Sequence, residues 1–437
     1  MIGNIGVVGV LCSAVGIYIG IKEDYEKLVL FLFATSILTT TAVITLGEKS
    51  ITVPNVMALI YFARIIHDVL KGKLEKFALN KWLIMFGIYS SISIIFPLIF
   101  SSGVQIVGKE GLSKFSMGSI IQVVYLVMSI CVFYGSYILI KNKKIDFKML
   151  DKGMKITTLL LFVLAIFQLV FTNIFNMLLV NRSGHAFIQT LESGKFRLTA
   201  TFNEPSMLAT FLAIAIAYFS IKSFRNFKNL IYVGGLILIG LLSRGSTFIL
   251  AIMFDSLIVL AYMIKEKRFK EIKIMVGVCF GLAVILEVVF KGIISNEISQ
   301  LIYKISGNGV SGSQRASQFE ACLNIFLRYP LTGIGYGINR GSDWITTLMA
   351  NGGIISLFLI GRFFYDVLYI KDVDNINTIA YKASVVVCLA ILLISVPEPY
   401  YNFFWIVIAV ALTGESRETY KMNFKGKINE FNEVKNA

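Results

Sequence analysis

The sequence predicts an all-α, polytopic membrane protein of about 12–14 transmembrane helices, with one large helical loop outside the membrane. Three observations predict it. The 437 residues are 56% hydrophobic and 15% charged, with a mean hydropathy of +0.76; too few polar side chains are present to coat a soluble domain. Apolar stretches of about 18 residues or more recur along the whole length. The net charge of +15 is concentrated in alternate connectors between those stretches, as the positive-inside rule requires. The chain is therefore expected to be a single polytopic domain, 1–437, with no separate soluble unit.

Spans are expected near 3–20, 28–46, 53–70, 82–100, 116–140, 156–180, 205–221, 229–242, 246–264, 273–290, 344–370, 383–396 and 401–413. The first lacks a basic n-region and a small-residue cleavage site, so it reads as a span and not as a removable signal. Connectors 21–27, 71–81, 141–155, 222–228, 265–273 and 371–382, with the tail 414–437, carry 27 of the 41 Lys and Arg. The alternate connectors 47–52, 101–115, 181–204, 243–245 and 291–343 carry 12. The lysine-rich set, including the basic tail 414–437, belongs in the cytoplasm, and the N-terminus then falls outside. The charge is topological and implies no nucleic-acid partner. The five Cys are scattered without a CxxC pair, which argues against a disulfide framework or a zinc site.

Residues 229–264 are almost continuously apolar, yet KSFRNFK precedes them and KEKRFKEIK follows. A single helix would put these basic flanks on opposite sides, so the charge rule predicts a hairpin turning near LLSRGST. Its first arm is about 14 residues, short for a full crossing, which sinks Ser243, Arg244 and Gly245 below the outer surface. Non-helical backbone survives there only where it lines a protein cavity. The two prolines of PEPYYN fold 383–413 in the same way.

In the large connector 291–343, SQRASQFEACLNIFLRYP places Phe319, Cys322, Leu323 and Phe326 in the pattern of an amphipathic helix. Arg315 stands one turn before Phe319, on the same face. Pro330 and the glycines of GIGYG end the helix. The expectation is a helix lying over the outer mouth of the bundle, with Arg315 turned inward.

Three arginines on separate elements, Arg197, Arg244 and Arg315, thus converge on the outer side. The plain reading of any one of them is snorkelling to lipid phosphate. Packed together they would repel unless something anionic lay among them, and the planar guanidinium fork is suited to phosphate oxygens. Glu204, just before Pro205, reads equally as a helix start that complements the dipole or as a carboxylate at the cavity mouth. Asp343, before the 344–370 span, carries the same two readings, with capping favoured on local grounds. GIGYG lacks the strand–turn–helix setting of a dinucleotide site. The DVD of Asp372–Asp374 stands alone in a short cytoplasmic connector. His67 and His185 are the only histidines, so no His-rich metal site is expected. No phosphate-binding loop is present, so neither ATP nor any other cofactor is expected.

Taken in order, FRLTATFNEPSMLATFLA, LLSRGSTFIL and RASQFEACLNIFLRYPLTGIGYG resemble segments of the O-antigen polymerase and O-antigen ligase family of bacterial membrane glycosyltransferases. The resemblance covers roughly residues 156–413; the first 155 residues match in hydropathy alone. It implies a GT-C-like fold and a metal-independent transferase in the bacterial cytoplasmic membrane, with its active site facing outward. The partners implied are undecaprenyl-pyrophosphate-linked oligosaccharides as donor and acceptor, the lipid bilayer, and a chain-length regulator protein. The family's phosphate-binding arginines carry over to Arg197, Arg244 and Arg315. Asn203, Ser243, Tyr336 and Arg340 join them in substrate binding. The ligase branch places a His shortly before the span after the large loop; here the region reads INRGSDWITTLMANGG, without His, which favours the polymerase branch.

The reaction so implied moves a growing glycan from undecaprenyl pyrophosphate onto an incoming lipid-linked repeat. The arginines stabilise the leaving charge, and Asp343 or Glu204 accepts the proton of the attacking hydroxyl. The product is an O-antigen, a capsule or an exopolysaccharide. The alternatives are a ligase-like glycan transferase and a flippase or transporter of polyprenyl-linked glycan, although no internal repeat of the kind common in transporters is visible.

Overall fold

A computed structural model describes residues 4–22, 24–46, 49–99, 104–105, 112–113, 115–181, 196–270, 299, 310–369 and 375–414. The expected span 273–290, the first part of the large loop, the DVD segment and nearly all of the basic tail lie outside the described residues. The described chain is mostly helical. Among the described residues, seven helices are long and apolar enough to cross a membrane: Val53–Leu70, Lys81–Ile99, Met117–Lys141, Phe147–Val170, Pro205–Ser223, Ser246–Lys265 and Trp344–Leu368. Shorter apolar helices are Val7–Ile21, Asn229–Ser243, Ile376–Leu392 and Asn402–Thr413. By length and composition this is a multi-pass membrane protein.

Pro205–Ser223 forms the centre of the bundle. Its sequence, PSMLATFLAIAIAYFS, is apolar on every side, and Leu208 through Phe219 are all buried. Alanines 209, 213, 215 and 217 let neighbouring backbones approach closely. Asn229–Ser243, Ser246–Lys265 and Ile376–Leu392 pack around it. The predicted hairpin over 229–264 is present, turning at Arg244 and Gly245. Its arms pack chiefly on the central helix and not on one another. The PEPYYN turn likewise separates Ile376–Leu392 from Asn402–Thr413, which lie side by side.

Polar ties gather at the two ends. At the lysine-rich end, Asp68 is buried and accepts from Arg64 Nη2 at 2.8 Å and from Tyr25 Oη at 2.5 Å. Lys222 Nζ lies 2.7 Å from Asp151 Oδ2 and also donates to Asn377. Asn80 Nδ2 donates to Asp366 Oδ2 at 2.8 Å. The lysine-poor end holds residues 197–206, the hairpin tip, the loop after Arg328 and the PEPYYN turn. The described parts of the two connector sets distinguished by charge therefore occupy opposite ends of the bundle.

Four expectations need correction. The chain is not wholly α: Asn4–Ile5, Ala42–Leu46 and Lys49–Thr52 form a small antiparallel sheet. This interrupts the expected span 28–46, whose helix covers only Tyr25–Thr35. Thr35 Oγ1 and Ser36 Oγ bond back to Phe31 O at 2.7 Å and Phe33 O at 2.6 Å. In the β-branched stretch that follows, Ala42, Ile44, Thr45 and Leu46 pair with Thr52, Ile51, Ser50 and Lys49. A second pair, Val104–Gln105 with Leu112–Ser113, lies in the 101–115 connector. The helix expected at 156–180 begins earlier, at Phe147, because Asp146 caps it by accepting from Met149 N at 2.8 Å. It breaks at Phe171 before Thr172–Leu179. In Val310–Arg328 the face turned to the protein carries Ala321, Cys322 and Ile325, while Phe319 is exposed.

The fourth correction matters most for the site. Trp344–Leu368 is not one continuous helix: Gly353 sits at φ 60°, ψ −160°, between two helical halves. The groups freed by the break are paired with the GIGYG loop. Ile334 N donates to Ala350 O at 3.0 Å and Gly335 N to Asn351 O at 2.9 Å. Ile354 N in turn donates to Pro330 O at 2.9 Å. The loop can lie this close because Gly333, at φ 62°, presents hydrogen where a Cβ would stand 2.4 Å from Asn351 C and 2.7 Å from Ala350 O. The glycines of GIGYG and of MANGG are two halves of one joint.

Candidate functional site

The broken helix and its loop open a polar cavity of about 90 Å³ at the lysine-poor end, lined among others by Gln122, Tyr336, Arg340, Asn351, Glu398 and Tyr400. The loop is pinned at its base: Asn339 N donates to Asn351 Oδ1 at 2.9 Å, and Asn351 Nδ2 returns a bond to Asn339 O at 2.7 Å. Tyr336 N donates to Ser93 Oγ at 3.0 Å, and the Tyr336 and Tyr400 hydroxyls meet at 2.8 Å. Burial pushes both phenols up from their ordinary pKa, which keeps them neutral donors. Arg340 Nε lies 3.2 Å from Glu398 Oε1. The Glu398 carboxylate holds the Arg340 guanidinium above its usual pKa, burial opposes it, and Glu204 adds to the rise.

Arg315 reaches the same region from its amphipathic helix, donating from Nη1 to Ser395 Oγ at 3.1 Å. Ser395 Oγ in turn meets Thr247 Oγ1, on the second arm of the hairpin, at 2.7 Å. Desolvation lowers the Arg315 pKa, while the charges of Glu204 and Asp343 raise it. Both carboxylates therefore act on this guanidinium.

The other expected site residues are placed as follows. Arg197 caps the first hairpin arm: Nε donates to Ser243 O and Nη2 to Arg244 O, each at 3.3 Å. A cation suits these C-terminal carbonyls. Ser243 is buried and its hydroxyl bonds back to Gly240 O at 2.6 Å. Arg244 occupies the left-handed region at φ 48°, with an exposed side chain that makes no hydrogen bond or ion pair among the described residues. Gly245 beside it abuts Pro205, which brings the tip next to Glu204. Glu204 accepts from Ser206 Oγ at 3.2 Å. Asn203 is buried, and its Oδ1 accepts no hydrogen bond among the described residues. Asp343 is buried as a helix N-cap, accepting from Thr346 N at 2.8 Å, Thr346 Oγ1 at 2.7 Å and Ser342 Oγ at 3.1 Å.

The structure thus gathers Arg197, Arg244, Arg315, Arg340, Glu204 and Asp343 at one end of the bundle, on four separate segments. Sequence reasoning missed Glu398, Tyr400, Ser395 and Gln122. PEPYYN carried the signal for the first two: a Glu and paired Tyr between helix-breaking prolines, in a chain with only 26 acidic residues. The chain matches no family model, no curated protein and no solved structure.

Proposed function

We propose that the chain is a GT-C-like glycan polymerase. It transfers a growing saccharide from undecaprenyl pyrophosphate onto an incoming lipid-linked repeat at the outer face of the bacterial cytoplasmic membrane. The observation that carries this reading is the pairing of Arg340 with Glu398 in one polar cavity, with Glu204 near enough for its charge to act on both Arg340 and Arg315 and with Arg244 exposed on the adjoining tip. Guanidinium groups without full protein neutralisation suit a pyrophosphate, and the carboxylates and tyrosines suit sugar hydroxyls. Arg315 and Arg244 hold the leaving pyrophosphate and stabilise its developing charge. Arg197 shapes the tip that presents Arg244. The lysine-poor end faces outward by the positive-inside rule.

The test is reconstitution. Purified protein supplied with lipid-linked oligosaccharide extracted from its native cells should lengthen the glycan without ATP, nucleotide sugar or added divalent metal. Elongation that disappears with EDTA and returns with magnesium would refute the metal-independent route. One observation favours a second reading. The helix broken at Gly353 is a feature shared with transporters, so translocation of lipid-linked glycan without elongation would support a flippase.

A further inference from the structure

The glycan-transfer reading leaves the proton acceptor open between Asp343 and Glu204, and the structure offers a better one. Asp343 has both carboxylate oxygens committed to the start of its helix, by three hydrogen bonds of 2.7–3.1 Å. Its removal would uncap the helix. Glu204 precedes Pro205 at the start of the central helix and is held by Ser206. Neither lines the cavity. Glu398 does. Its Oε1 is held by Arg340, and its Oε2 accepts no hydrogen bond among the described residues. The side chain is 24% exposed, open enough to meet a substrate and enclosed enough to be oriented.

The cavity beneath Glu398 has the chemistry of a single sugar's edge. Its 90 Å³ is room enough for several hydroxyls of a substrate. Tyr336 and Tyr400 bring hydroxyls that donate and accept, and Asn351 underlies them. Gln122 Oε1 is buried in the structure and accepts nothing among the described residues. Such an atom is costly unless a donor reaches it, and a sugar hydroxyl is a donor of the right kind.

We propose, resting on the glycan-transfer reading, that the cavity seats the acceptor sugar and that Glu398 is the general base which takes the proton from its attacking hydroxyl. The acceptor O–H bond breaks and the proton passes to Glu398 Oε2. The freed oxygen forms a bond to the donor's anomeric carbon. The bond from that carbon to the phosphate oxygen breaks, and its electron pair leaves with undecaprenyl pyrophosphate. Glu398 then returns its proton to water. Arg340 is a positioning residue, fixing the carboxylate through Oε1.

The test compares Glu398→Gln, Arg340→Gln and the double variant, using wild-type protein and lipid-linked repeats extracted from native cells. Loss of a general base lowers turnover by about 10²–10⁴-fold, so Glu398→Gln should lose at least 100-fold. Its affinity for undecaprenyl pyrophosphate alone should stay within about threefold of wild type. Arg340→Gln should chiefly raise KM. A Glu398→Gln rate within about threefold of wild type overturns the proposal. So do equal losses of kcat in both single variants with KM unchanged and no further loss in the double, which would mark a merely structural ion pair. If Glu398→Gln fails to fold, Glu398→Asp decides, because it keeps the carboxylate and withdraws it from the acceptor: a rate within about threefold of wild type overturns the assignment. Wild-type protein that transfers no glycan refutes the underlying reading instead, and this one with it.

Discussion

The joint between the GIGYG loop and the broken helix yields a prediction whose size follows from geometry. Gly353 lies at φ 60°, ψ −160°, a region open essentially to glycine alone, where any other residue carries about 1–3 kcal/mol of strain. A Cβ there would stand 2.3 Å from Leu331 O and 2.7 Å from Pro330 O. Those are the carbonyls that accept from Ile355 N at 3.3 Å and Ile354 N at 2.9 Å. The backbone must therefore separate, and each hydrogen bond lost removes about 0.5–1.5 kcal/mol. Gly353→Ala should destabilise the protein by about 2–6 kcal/mol, a large share of a typical folding free energy. The control is Gly361→Ala, in the second half of the same helix, where a Cβ meets nothing within 4 Å. There alanine should stabilise by roughly 0.5–1 kcal/mol. The assay is unfolding of detergent-solubilised protein by denaturant titration, with glycan elongation measured in parallel. Gly353→Ala should lose both stability and elongation. Equal stability of the two variants would refute the claim that the break at Gly353 is required.

Three further outcomes are expected. Arg244→Lys should abolish most elongation at matched expression, because lysine keeps the charge but loses the bidentate fork; near-normal elongation would mark Arg244 as a lipid anchor. Asp68→Ala should destabilise by about 3–5 kcal/mol, since Asp68 is fully buried between Arg64 and Tyr25; a change below about 1 kcal/mol would show that the pair contributes little. An impermeant thiol reagent should label Ser311→Cys but not Ser416→Cys in intact cells, provided the native cysteines are removed. The reverse pattern would invert the assignment of every site residue to the outer face.

Much of the architecture was legible because it follows from short-range physics. Apolar runs and flanking lysines located the hairpins at Arg244 and at PEPYYN, since the two basic flanks of each must share a side. Pro205 and Asp343 marked helix starts by their local chemistry. The strands at 42–52 were hidden because a β-branched apolar run has the hydropathy of a span; what separates them is pairing with residues 4–5, which are distant in sequence. Helical periodicity placed the amphipathic helix but misjudged its face. Phe319 points to solvent, and Cys322 and Ile325 turn to the loop that happens to be packed there.

The sequence by itself determined the turns at Arg244 and PEPYYN, and that Arg197, Arg244 and Arg315 lie at the same, lysine-poor end. Local charge and hydrophobicity suffice for each of these. Only the tertiary structure decided what those residues touch. It committed Arg197 to the hairpin's carbonyls and Asp343 to its cap, and it set Arg340 against Glu398 across 58 residues of chain. It also broke the helix at Gly353, where the carbonyls that accept the freed N–H groups come from Pro330 and Leu331. A hydrogen bond or ion pair between distant residues depends on the packing of whole helices against one another, and no local pattern in the chain specifies that packing.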